Sequence, residues 1–107
     1  MKVLFDQGTP VPLRALLPDH DVATAFERGW STLTNGELLA AAETAGFAAI
    51  VTTDKNIRHQ QNIAGRAFGV LVLPTTNWPM IRRNVASVID ALDELPPGTI
   101  RELAFER

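Results

Sequence analysis

The chain has 107 residues, of which 46% are apolar and 21% charged, and a net charge of −2. One globular domain over residues 1–107 fits these figures, and they exclude a disordered chain, a collagen-like repeat and a globally basic nucleic-acid binder, although a local basic patch stays open. With no cysteine and two histidines, disulfides, zinc–thiolate sites, thiol catalysis and a three-histidine zinc site drop out.

No apolar run approaches the roughly 20 residues that span a bilayer. The opening Met1-Lys2-Val3-Leu4-Phe5-Asp6 is too short an apolar stretch for a signal peptide. The expectation is a soluble, cytoplasmic protein with no membrane partner.

In chain order, Val3-Leu4-Phe5 reads as a buried strand, stopped by Asp6-Gln7-Gly8-Thr9-Pro10. Residues 12–17 read as a short helix, with proline in its first turn. Residues 20–24 read as a second short strand. Residues 34–45 read as a helix with Leu38, Leu39, Ala42 and Ala45 on one stripe, closed by Gly46. Residues 48–52 form a strand ending in Thr53-Asp54, and residues 69–73 another, ended by Pro74. Asn77-Trp78-Pro79 opens what reads as the longest helix, with Ile81, Val85, Val88, Ile89 and Leu92 towards the core, ended by Pro96-Pro97-Gly98. Residues 99–105 read as a last strand at an edge. Apolar strands separated by helices predict an α/β fold, three-layered and small, around a mostly parallel sheet.

Charge is segregated along the chain. From Lys55 to Ile89 there are no acids and five bases, Lys55, Arg58, Arg66, Arg82 and Arg83. The plain reading is a solvated face. The functional reading is an electropositive rim for a phosphate backbone, to which His59, Gln60, Gln61 and Asn62 add polar donors.

Asp6 and Asp54 each follow an apolar strand. Ligands of open parallel sheets bind at the carboxyl ends of strands, beside the point where strand order reverses. If the first and third strands are neighbours, about 4.8 Å apart, the two carboxylates converge. They then share a proton or hold a divalent cation. Each alone reads equally well as a helix cap or turn residue. Glu37, in Thr34-Asn35-Gly36-Glu37, fits a capping box with Thr34 as N-cap; with Asn35 as the cap instead, Glu37 is free to face the cleft. There is no glycine-rich phosphate loop and no nucleophile elbow. Trp30 and Trp78 read as packing residues rather than base-stacking platforms.

Asp6-Gln7-Gly8-Thr9-Pro10-Val11-Pro12-Leu13, His20-Asp21-Val22, Gly29-Trp30, Asn35-Gly36-Glu37-Leu38-Leu39, Val51-Thr52-Thr53-Asp54 and Asn77-Trp78-Pro79 come in an order that resembles small PIN-like proteins. The resemblance is to a bacterial branch related to the toxin ribonucleases of toxin–antitoxin pairs, and it spans roughly residues 1–80. It implies a small α/β/α PIN-like fold of four to five strands, ordered 2-1-3-4 with the fifth strand's place open. It also implies a ribonuclease that hydrolyses phosphodiesters with Mg²⁺ or Mn²⁺. Carried over by position, Asp6, Glu37 and Asp54 are the catalytic and metal-holding acids, and Arg58 or Arg82 binds flanking phosphates, with His59 and Arg66 on the same basic rim. An antitoxin protein and a homodimer are the further partners implied. Gly8 stands where relatives often have Asn, and Asn56 where many have a second Asp, so Asn56 offers the metal a carbonyl oxygen without charge. Those departures motivate an alternative, a degenerate module that binds RNA or a partner protein without cleaving. A phospho-acceptor receiver domain also has acids at these strand ends, but it needs a second acid beside Asp6 and a late lysine, and no lysine follows Lys55.

Overall fold

The computed structural model describes residues 1–57 and 62–105. Five strands, β1 (Lys2–Phe5), β2 (Asp21–Thr24), β3 (Ala49–Thr52), β4 (Gly69–Val72) and β5 (Ile100–Glu102), form one sheet in the order β2-β1-β3-β4-β5. All four pairings are parallel. The expected order therefore holds, and the fifth strand takes the edge beside β4. It is shorter than the sequence suggests, three residues instead of seven.

The strands form because they are apolar on both faces. Every residue of β3 and β4 is buried, as parallel strands covered on two sides require. Alternation then sorts their side chains. Val3, Phe5, Ala49, Val51 and Leu71 pack on one face with Leu13, Leu17, Ile81, Val88, Ala91 and Leu92. Leu4, Ile50, Val70 and Val72 pack on the other with Leu38, Leu39, Ala42, Phe47, Ile57, Ile63 and Phe68. Helix α1 (Asn35–Thr44) covers that second face; a 3-10 segment (Val11–Leu16), α2 (Trp78–Arg83) and α3 (Val85–Asp93) cover the first. The result is three layers.

The long C-terminal helix expected from the sequence is two helices. Asn84 leaves helical geometry (φ −107°, ψ 20°), and its side-chain amide donates to the Met80 carbonyl at 2.9 Å. Asparagine competes in this way for backbone groups and so breaks the run. Among the described residues the ten-residue α1 is thereby the longest helix. The segment expected as a short helix near residue 12 is 3-10 in character.

From β1 the chain moves outward to β2, then crosses back to β3 on the other side of β1. The order reverses between β1 and β3, and open parallel sheets bind their ligands at the carboxyl ends of the strands beside such a reversal. No helix of the described residues is long and apolar enough to cross a membrane.

Candidate functional site

Asp6 follows the last residue of β1, and Asp54 stands two residues beyond β3. The register pairs Leu4 with Ile50 and Phe5 with Val51, and the ladder continues with the Asp6 amide donating to the Val51 carbonyl at 2.9 Å. Strand alternation then sends Asp6, Thr52 and Asp54 to the face that α1 covers.

There they are linked. The Thr52 hydroxyl donates to Asp6 Oδ2 at 2.9 Å and accepts from the Asp54 amide at 3.1 Å. The Gln7 amide donates to Asp6 Oδ1 at 2.8 Å. The Asn56 amide donates to Asp54 Oδ1 at 2.9 Å, closing an Asx turn. The Asn35 side-chain amide donates to Asp54 Oδ2 at 3.0 Å. Burial pushes the Asp6 carboxyl above its ordinary 3.8; the bonds from Thr52 and Gln7 pull it back, and the charge of Asp54 raises it again. The two carboxylates thus feel each other, and among the described residues neither forms a salt bridge with Lys, Arg or His.

The loop after β1 is fixed over this site. Thr9 is buried, and its hydroxyl donates to the Val51 carbonyl at 3.0 Å. Gly8 has φ +97°, and a Cβ there would lie 2.9 Å from Thr53 Oγ1. The loop needs both the left-handed backbone and the missing side chain, which is a local reason for glycine at a position where the resemblance leads one to expect Asn.

Glu37 is placed elsewhere. Its carboxylate accepts from the Thr34 amide at 2.9 Å, and its own amide donates to the Thr34 hydroxyl at 3.3 Å. This is the capping box, with Thr34 and not Asn35 as the cap. Those bonds to Thr34 hold the Glu37 carboxyl below its ordinary value. Among the described residues no three His, Asp or Glu side chains gather in a group that could hold a metal, so the structure brings Asp6 and Asp54 together without Glu37.

The other expected residues scatter. Asn56 reaches Asp54 through its backbone and is exposed. Arg66 pairs with Glu43 at 2.9 Å, near the end of α1 and just before β4 begins, on the amino edge of the sheet and away from the aspartates. Arg82 is exposed on α2, which follows β4 and so begins on the carboxyl edge. Arg58 and His59 lie outside the described residues. Sequence reasoning missed Thr52 and assigned Asn35 no ligand role. The signal for Thr52 was its position two residues before Asp54, on the same side of the strand.

The oxygens placed at this end of the sheet are hard donors: the carboxylates of Asp6 and Asp54, with the Thr52 hydroxyl on the Asp6 carboxylate. Each carboxylate oxygen accepts one hydrogen bond named above. A carboxylate offers roughly four lone-pair sites, so these bonds leave capacity for a cation. The set fits Mg²⁺ or Mn²⁺ held by one or two carboxylates and completed by water and substrate phosphate, rather than an all-protein cage. What the fold and site define is a three-layer α/β protein with two aspartates at the switch point of its parallel sheet. No family model, curated protein or solved structure matches the chain.

Proposed function

We propose that the chain is a metal-dependent ribonuclease of the PIN-like kind, with Asp6 and Asp54 as the pair that holds Mg²⁺ or Mn²⁺. The observation that supports the reading is the placement of Asp6 and Asp54 at the β1/β3 switch point, where the Thr52 hydroxyl links the Asp6 carboxylate to the Asp54 backbone amide. Two neighbouring carboxylates, partly withdrawn from water and without a basic partner, repel each other, and a divalent cation relieves that repulsion.

Asp6 and Asp54 would hold such a cation, which would supply charge neutralisation at a phosphate oxygen and a more acidic water. The protein's part is positioning. Thr52 and the Gln7 amide fix the two oxygens of Asp6; Asn35 and the Asn56 amide fix those of Asp54. All four partners belong to a strand, a helix start or a closed turn, so the carboxylates are oriented before any ligand arrives.

A second reading has one observation in its favour: among the described residues no third carboxylate joins the pair. In that reading the chain binds RNA or a partner protein and has lost turnover. One experiment separates the two. Mn²⁺ is titrated by calorimetry into the wild type and Asp54→Asn, and both are assayed with Asp6→Asn for cleavage of single-stranded RNA. Saturable binding and Mn²⁺-dependent cleavage in the wild type alone support the nuclease. RNA binding without cleavage at millimolar Mn²⁺ favours the second reading.

A further inference from the structure

The last two bases of the acid-free stretch lie in α2, and among the described residues neither has an acid partner. Arg66 is neutralised by Glu43. Arg82 and Arg83 are exposed and take part in none of the ion pairs among the described residues. They line an open groove of about 400 Å³ together with Trp78 and Pro79, a size within the ~300–1,000 Å³ range of ligand sites.

The spacing explains the shape. Trp78 and Arg82 are four residues apart, as are Pro79 and Arg83, so two adjacent (i, i+4) pairs form one ledge along the helix. Ile81 is fully buried on the opposite side. Trp78 is half-buried and packs against the core, which immobilises its indole without covering it. The expectation that Trp78 is a packing residue therefore describes its inner side only. A part-exposed indole held against the core, beside two guanidiniums with no ion pair among the described residues, is the combination that binds single strands: bases stack on the ring and phosphates bridge the arginines.

We infer that Trp78, Arg82 and Arg83 form a nucleotide ledge that seats single-stranded RNA, with a base on the indole and phosphate on the guanidiniums. The inference rests on the nuclease reading for the kind of polymer and gives that reading a place for the substrate strand beyond the scissile bond. α2 opens six residues after β4, so the ledge starts on the carboxyl edge, where the aspartates also lie. β4 is one strand spacing, about 5 Å, from β3. The ledge is on the face opposite α1, so a strand seated on it crosses the edge of the sheet to reach Asp6 and Asp54.

The test is fluorescence anisotropy of a labelled decauridylate with the full chain in EDTA, where no cleavage occurs. Arg82→Gln/Arg83→Gln alters exposed residues only, so folding is preserved. It is expected to weaken binding by tenfold or more and to flatten the slope of log K against log salt by about 1–1.5. Trp78→Leu, which keeps an apolar anchor, is expected to weaken binding roughly 5- to 100-fold. An abasic decamer is expected to bind the wild type more weakly and to be indifferent to Trp78→Leu. Decauridylate binding unchanged by the double variant overturns the ledge, whatever Trp78→Leu does. So does displacement by decaglutamate at equal concentration, which points to an acidic protein segment as the occupant. Ledge-dependent binding without Mn²⁺-dependent cleavage sinks the nuclease reading alone. Cleavage with binding indifferent to the ledge sinks this inference alone.

Discussion

Thr52 stands between the two aspartates as a relay, donating its hydroxyl to Asp6 at 2.9 Å while accepting the amide of Asp54 at 3.1 Å. A fully buried threonine at the end of an apolar strand is costly unless its hydroxyl is paired, and here one oxygen satisfies two elements. Thr52→Val keeps the shape and removes both bonds. The Asp54 amide then loses its acceptor, and Asp6 loses the donor that most lowers its carboxyl. The expected cost is about 1–3 kcal/mol of stability, read from the urea midpoint. The Asp6 carboxyl is expected to titrate higher still, read from its side-chain carbon shift by NMR.

Asp6→Asn is expected to stabilise the protein while abolishing Mn²⁺ binding. Burial is the main reason the Asp6 carboxyl is raised above 3.8 in the folded state, so the folded protein holds that proton more tightly than the unfolded chain. Below 3.8 the group is protonated in both states and has no effect. As pH rises from 3.8 towards the folded value the unfolded chain ionises first and stability falls, and the full penalty applies above the folded value. The gain from Asn is expected at roughly 0.5–2 kcal/mol near neutral pH, the usual reward for relaxing a strained functional site, and it is expected to vanish below pH 3.8. Thermal melts of both proteins across that pH range check it; a gain that persists in acid sinks the electrostatic account.

The aspartates were legible in the sequence because each follows an apolar run, although each alone read equally well as a cap or turn residue, and Asp54 does close a turn with Asn56. Thr52 was not. A threonine in a strand is ordinary by propensity, and its role depends on the β1/β3 register that sets it beside Asp6. The fate of Glu37 was legible in both forms, and local physics chose between them, since the capping box needs only four consecutive residues. Arg66 misled for the opposite reason. A charge count along the chain does not see that the end of α1 brings Glu43 to it, 23 residues back. The strand order was what the PIN-like resemblance implied, and the apolar pattern supplied the strands themselves. The break at Asn84 did not, because the apolar period runs through it while the side chain turns back on Met80.

Gly69 opens β4 where the chain after α3 crosses closest to the sheet. A Cβ there would lie 2.5 Å from Leu95 Cγ and 2.7 Å from the Pro96 carbonyl oxygen. Leu95 can shift, but the backbone at Pro96 is tied to the sheet through the Gly98 amide, which donates to the Phe68 carbonyl at 2.8 Å. Gly69→Ala is therefore expected to cost about 1–3 kcal/mol by overpacking, and to displace β5, whose register is set against Val70, Leu71 and Val72. Urea denaturation gives the cost, and amide exchange at Ile100 to Glu102 gives the displacement.

Glu37 supplies the sharpest separation between a helix cap and a metal ligand. Glutamine serves the capping box as well as glutamate does, so Glu37→Gln is expected to melt close to the wild type at neutral pH and to bind Mn²⁺ unchanged. Thr34→Ala removes the hydroxyl that holds the Glu37 amide and is expected to cost about 1 kcal/mol. The pH dependence has a definite sign. The Glu37 carboxyl is held below 4.5 by its bonds to Thr34, so its contribution is fully present above 4.5 and fades as pH falls through the lower folded value. Glu37→Gln has no carboxylate to protonate, so two proteins that melt together at neutral pH are expected to part in acid, with the wild type melting lower. Calorimetry with Mn²⁺ on Glu37→Gln beside Asp54→Asn decides the matter. Binding lost in the aspartate variant alone assigns Glu37 to the helix, whereas binding lost in both returns it to the metal and makes the capping box a resting arrangement that the cation breaks.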